Sequence, residues 1–230
     1  VMEVFGPTIQ GEGALCGKLS HFIRFGGCPY RCNWCDSMHA VLPEEVKKNA
    51  EWLRESEIVV RIRQLSPAPW VTLTGGDPVM WSLKTLISLL QISDPYLSVA
   101  LETSGYAFKA WAEDCQLITV SPKGPSSGME DKTDFAALAK YAQIPGTRFK
   151  IVIFDEGDLK FAMSVRERFP GVPLYLSVGT PQGLPDDETR LAITTNMKWL
   201  FDRVLTIPRL RHVTILPQMH VLAWGNELGH

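Results

Sequence analysis

Short apolar runs rich in β-branched residues recur along this chain, at residues 20–25, 70–74, 97–101, 117–120, 148–154, 173–178 and 212–216. Each is too short for a helix and too evenly apolar for a strand with one wet face, so each reads as a strand covered on both sides. Amphipathic segments of helical length lie between several of them, at 44–65, 81–93, 156–169 and 189–206. Within 158–165, Leu159, Phe161, Ala162, Met163 and Val165 fall at the offsets of a half-buried helix. Strands alternating with helices force a mainly parallel sheet, because a parallel neighbour is reached only through a crossover. A count of about six strands falls short of a closed barrel of eight. The expected fold class is therefore α/β, a partial (incomplete) β/α barrel of about six mainly parallel strands, in a single domain over residues 1–230.

Polar clusters follow several of these strands. Thr74-Gly75-Gly76-Asp77-Pro78 follows the second, Glu102-Thr103-Ser104-Gly105 the third, Ser121-Pro122-Lys123 the fourth, and Gln218 the last. Ligands of α/β sheets bind beyond the carboxyl ends of the strands, so four clusters there could share one site. Taken singly, each is also an ordinary turn.

Composition narrows the field of functions. With 45% apolar residues over 230 positions, the chain can bury roughly 70% of its unfolded surface without a metal or disulfide to help. A net charge of −2 offers no general attraction for nucleic acid or anionic membrane, so neither is expected as a partner. No apolar run approaches the ~20 residues of a membrane span, and no basic-then-apolar leader opens the sequence. A cytoplasmic location is expected.

Five cysteines make an odd number for a disulfide framework, and three of them stand in Cys28-Pro29-Tyr30-Arg31-Cys32-Asn33-Trp34-Cys35, a C-x3-C-x2-C array after the first strand. Soft thiolates favour zinc, Cu(I) or iron–sulfur clusters. Three ligands leave one position to be filled by something else. His39 is one candidate, which would make a closed structural zinc site of three cysteines and a histidine. A chain with an ample core has little need of such a site. Cys16 and Cys115 stand apart and read as apolar fillers.

The C-x3-C-x2-C array resembles the signature of radical S-adenosylmethionine enzymes, and Thr74-Gly75-Gly76-Asp77-Pro78 is similar to their Gly-Gly-Glu-Pro element, with aspartate for glutamate. That resemblance implies a 4Fe–4S cluster on Cys28, Cys32 and Cys35, with S-adenosylmethionine on the fourth iron, inside an incomplete barrel of the radical S-adenosylmethionine type. It also places Trp34 near the adenine. A narrower resemblance rests on Phe5-Gly6-Pro7-Thr8-Ile9-Gln10-Gly11-Glu12-Gly13, Phe22 to Cys28, Cys35-Asp36-Ser37, Glu102 to Gly105, Ser121-Pro122-Lys123 and Leu216 to Asn226. Together these resemble the 7-carboxy-7-deazaguanine synthase family nearly end to end.

What the narrower resemblance implies is specific. Ile9, Gln10, Gly11, Arg24 and Thr74 would contact the substrate. Gly76, Ser121, Pro122, Lys123 and Gln218 would hold S-adenosylmethionine, with Glu102 a further candidate. Ser37 would coordinate Mg2+ where the family usually carries threonine. The chemistry fits a small polar bicycle bearing a carboxylate: Arg24 offers a fork to a carboxylate and Gln10 both donors and acceptors to a pterin edge. The implied reaction is a radical-mediated ring contraction of 6-carboxy-5,6,7,8-tetrahydropterin with loss of ammonia, a lyase step toward queuosine and other 7-deazapurines. An external electron donor such as flavodoxin and a homodimer are implied as well. Glu12 is read as a loop residue, Asp36 as an acceptor of local hydrogen bonds, and His220 as a core histidine without a catalytic role. Two rivals share the cysteine array. One is an activase that makes glycyl radicals on a protein partner; the other is a zinc-stabilised binding module that adds His39.

Overall fold

In the computed structural model, which describes residues 1–225, eight strands lie side by side in chain order in one open sheet. They are β1 (Glu3–Ile9), β2 (Leu19–Phe25), β3 (Trp70–Gly75), β4 (Ser98–Thr103), β5 (Leu117–Val120), β6 (Thr147–Ile153), β7 (Leu174–Val178) and β8 (Thr214–Leu216). Every pairing from β2 to β8 is parallel, and β1 alone runs antiparallel, on β2. The expectation of a mainly parallel α/β sheet holds, but the count of about six is corrected to eight. All seven apolar runs became strands. The eighth, β1, escapes the pattern because Gly6-Pro7 interrupts it, and the register on β2 shifts between Phe5 and Thr8 at that point. An edge strand tolerates proline because its outer face needs no donor.

The helices are α1 (Pro43–Asn49), α2 (Glu55–Gln64), α3 (Lys84–Ser93), α4 (Phe135–Tyr141), α5 (Glu156–Arg168), α6 (Asp186–Leu205) and α7 (Met219–Trp224). The single helix read over 44–65 is in fact two. The chain straightens between them, where the Glu51 N–H donates to the Val1 carbonyl. The segment read at 81–93 starts later, at Lys84, after a turn at Pro78–Met80. The remaining two shift by less than a turn. In α5 the cap is explicit, with Asp155 accepting from the N–H groups of Gly157 and Asp158. The short α4 and α7 carry too little pattern to be read.

The two faces of the sheet differ in kind. Along β6, Phe149, Ile151 and Ile153 are buried against the helices while Arg148, Lys150 and Val152 alternate to the other face. The apolar core lies on the helix side, with Leu73, Leu101, Ile118 and Ile151 from the sheet meeting Leu86, Leu90, Leu159 and Val165 from the helices. The opposite face carries Arg24, Thr74, Glu102, Thr119 and Lys150, polar groups on successive strands, and it is these that line a cavity.

Candidate functional site

That cavity has a volume of about 370 Å³, enough for a small-molecule ligand. Its lining includes Ile9, Gln10, Gly11, Arg24, Cys28, Cys32, Trp34, Cys35, Ser37, Thr74, Gly76, Glu102, Ser121, Lys123 and Gln218. Every candidate residue read from the sequence is thus brought together, except that Pro122 is buried between Ser121 and Lys123 without reaching the cavity wall. The polar clusters after β3, β4, β5 and β8 do converge. Asn226, which ends the last quoted motif, lies outside the described residues.

The cysteine loop follows β2 and is pinned to the end of β3. Gly27 N–H donates to Ala40 O, and Asp77 N–H donates to Gly27 O at 2.7 Å. At Gly76 any side chain would be excluded, since a Cβ would stand 2.2 Å from the Gly27 oxygen. The aspartate of this turn has a clear task. Asp77 is fully buried and accepts from Thr103 Oγ1 (2.7 Å), from Ser104 N and Oγ, and from Val79 N. Burial raises its pKa while these donors favour the anion. It clamps the end of β3 to the end of β4.

The three thiols of the array are half-buried, and none is in a disulfide. Burial pushes Cys28 and Cys35 up to about 11 and raises Cys32 as well, with Lys123 pulling each of them down. All three line the cavity. Soft thiolates suit an iron–sulfur cluster, and a closed zinc site would need a fourth protein ligand turned toward them. His39 turns toward Glu3, at 3.7 Å from its Oε2, and its buried Nε2 has no hydrogen-bond partner. The donor set therefore fits an iron–sulfur cluster held by cysteines alone. Beside it, Trp34 donates its indole N–H to Ser126, and Lys123 sits 5.3 Å over the Trp34 ring while donating to Ser121 Oγ.

Deeper in the cavity the side chains form one network. Gln10 donates to Glu102 Oε1 at 2.9 Å and accepts from the Glu12 N–H. Thr74 donates to Glu102 Oε2 at 2.8 Å. Burial raises the Glu102 carboxyl pKa, opposed by Thr74 and Arg24. Arg24 donates through Nε to Glu3 at 2.6 Å and through Nη1 to Ser37 Oγ at 3.2 Å, and Ser37 in turn donates to Asp36.

Three groups that sequence reasoning set aside or missed also stand on the wall. Glu12 pairs with Lys150 of β6 and accepts from Gln218, which donates as well to Asp36 and accepts from Thr180. Burial draws Lys150 down to about 8, while the touching carboxylate favours its charged form. His220 lies behind Gly11, where a Cβ would come within 2.1 Å of its Nδ1. Ligand atoms of Glu12, Asp36 and His220 lie within 4.8 Å of one another. Lys150 and the Gln218 amide already compensate those carboxylates, Glu12 by both and Asp36 by the amide. Alternation along β6 was the available signal for Lys150, a cation flanked by Phe149 and Ile151.

A family model described as a 4Fe-4S single cluster domain matches residues 9–122. The chain is 36% identical over its full length to the 7-carboxy-7-deazaguanine synthase of Bacillus subtilis, covering 97% of that protein. It is 35% identical, again over its full length, to the synthase of Bacillus cereus, covering 98% of it. The fold is similar to that in the crystal structure of QueE from Escherichia coli, with a TM-score of 0.63 and 24% identity, covering 96% of this chain and 93% of that one.

Proposed function

Because this chain belongs to the 7-carboxy-7-deazaguanine synthase family, we propose that its cavity binds 6-carboxy-5,6,7,8-tetrahydropterin and releases 7-carboxy-7-deazaguanine and ammonia. The enzyme is a radical S-adenosylmethionine lyase with a 4Fe–4S cluster. The observation that carries the reading is the meeting of the cysteine loop and the polar strand ends in one cavity of ligand size.

Cys28, Cys32 and Cys35 would hold the cluster, and Trp34, Gly76, Glu102, Ser121, Lys123 and Gln218 would line the S-adenosylmethionine site, with Pro122 fixing the turn between Ser121 and Lys123. When bound, this pair supplies the radical chemistry. The chain's own residues bind and orient. Arg24 meets the substrate carboxylate, and Ile9, Gln10, Gly11 and Thr74 frame the pterin. Gln10 and Thr74 are pre-set for this by their shared acceptor, Glu102, which limits the ordering cost of binding. Cavity walls of Phe5, Phe22 and Val152 exclude water from the reacting carbon. Ser37 offers an oxygen to Mg2+ beside the Asp36 carboxylate, a donor set suited to a hard cation. The open sheet is read as an incomplete β/α barrel in a single domain over 1–230, active as a homodimer in the cytoplasm and reduced by an external donor such as flavodoxin.

The deciding experiment is anaerobic turnover of the carboxytetrahydropterin with S-adenosylmethionine and a reductant. Reconstituted protein that cleaves S-adenosylmethionine yet forms no carboxydeazaguanine would overturn the substrate. For the cation, Ser37→Ala is expected to abolish stimulation by Mg2+ and Ser37→Thr to keep it.

A further inference from the structure

Lys150 and Glu12 meet on the cavity wall, one on β6 and the other in the loop after β1, and their side chains are only 13% and 14% exposed. Neither is needed to hold the cluster, S-adenosylmethionine or the pterin carboxylate. Loss of ammonia has a requirement that the cluster, S-adenosylmethionine and the pterin contacts do not meet. Ammonia cannot leave as an amide anion, so the departing nitrogen must gain a proton while a neighbouring carbon loses one.

Other cationic groups on the wall are committed. Arg24 is held by Glu3 and Ser37, and a guanidinium does not give up its proton. Lys123 is tied to Ser121 and Trp34 at the cysteine end. Burial lowers the His220 pKa, which favours its neutral form. The carboxylate of Glu102 is engaged by Gln10 and Thr74. A lysine in contact with a carboxylate, both lining the cavity, is left.

We propose that Lys150 and Glu12 are the acid and the base of the ammonia-releasing step, a reading that rests on the synthase function above. The Lys150 ammonium gives a proton to the departing nitrogen as the C–N bond breaks and its electron pair leaves with that nitrogen. The Glu12 carboxylate takes the proton from the adjacent ring carbon, and the C–H electron pair becomes the new ring double bond. Ammonia departs neutral and no oxidant is consumed. The proton on Glu12 then crosses their contact to the Lys150 amine, which restores both groups. Gln218 holds the second oxygen of Glu12 and fixes its direction. Among the described residues, Lys150 touches Glu12 and acts on His220 through its charge, and Asp36 stands within 4.8 Å of both. Burial brings the ammonium to about 8, within reach of donation near neutral pH.

The test uses reconstituted holoenzyme carrying Lys150→Ala or Lys150→Arg, with substrate deuterated at the carboxylate-bearing carbon. Deuterium transfer into S-adenosylmethionine reports the steps before ammonia loss, and carboxydeazaguanine reports the whole. Both variants are expected to keep deuterium transfer while product formation falls about 10²–10⁴-fold. Added primary amines should restore Lys150→Ala in proportion to their acidity and leave Lys150→Arg unchanged. Wild-type rates in Lys150→Arg would overturn the proposal, because arginine keeps the charge but not the transferable proton. So would joint loss of deuterium transfer and product in Lys150→Ala without amine rescue. If Lys150→Ala fails to load its cluster, Lys150→Arg decides alone. A wild-type enzyme that makes no product instead removes the synthase reading, whatever the variants do.

Discussion

One side of the cavity is held by main chain and the other by side chains. From β2 to β5, backbone hydrogen bonds join Gly27, Ala40, Gly76 and Asp77, and one buried carboxylate ties β3 to β4. From β6 to β8, Lys150 pairs with Glu12, and Gln218, accepting from Thr180, donates to Glu12 and Asp36. The first wall must present three sulfurs to a rigid cluster, so its geometry is built into the chain path. The second meets a substrate whose protonation and shape change during turnover, and longer polar side chains can follow such changes.

The difference can be broken most severely at the cysteines. Cys32→Ala is expected to lose iron, sulfide and all product, checked by metal analysis and anaerobic turnover. Next in size is Asp77→Ala, which strands four buried donors and should cost about 3 kcal/mol or more in chemical denaturation. Cluster loading should also depend on pH on this wall. Because burial raises the thiols, to about 11 for Cys28 and Cys35, each must release a proton to bind iron. Iron affinity should therefore fall with falling pH, by up to about tenfold per unit for each proton displaced, in an anaerobic titration.

The second wall should respond differently. Gly11→Ala pushes against His220 and should raise KM for the pterin about tenfold while iron content stays at the wild-type level. The smallest effect is expected at Cys115, buried in the core away from the array. Cys115→Ala should cost about 1 kcal/mol of stability and leave cluster content unchanged. Loss of iron in that variant would show that the array does not act alone.

The same division governs how much could be read before any coordinates. The main-chain wall is local in sequence: Cys28 to Cys35, Thr74 to Pro78 and Ser121 to Lys123 are continuous segments, and each lies where its spacing places it. All seven apolar runs became strands for a similar reason, since packing on the helices leaves a composition signal within a few residues, although the other face proved to be the polar wall of the cavity. The side-chain wall has no such signal. Lys150 is one residue in an apolar strand, and its partner lies 138 positions away. Glu12 and His220 read as loop and core because what distinguishes them is the neighbour across the cavity. Strand β1 was hidden by Gly6-Pro7, which marks a turn in most contexts and here sits at a register shift on an edge. Asp77 shows a middle case: its position was legible, and its work as a clamp on Thr103 and Ser104 was not.

The sheet stays open between β1 and β8, and what spans the gap is the Met219 N–H on the Gly11 carbonyl and the Gln218 amide on Glu12. The order in which the chain is made therefore matters. The three cysteines and the segments that brace their loop are complete by residue 132, through Ser126, Ser127, Met129 and Lys132. The substrate chamber lacks a side until residue 218 follows. In the order of synthesis, the ligands for the metal precede the wall that faces the pterin.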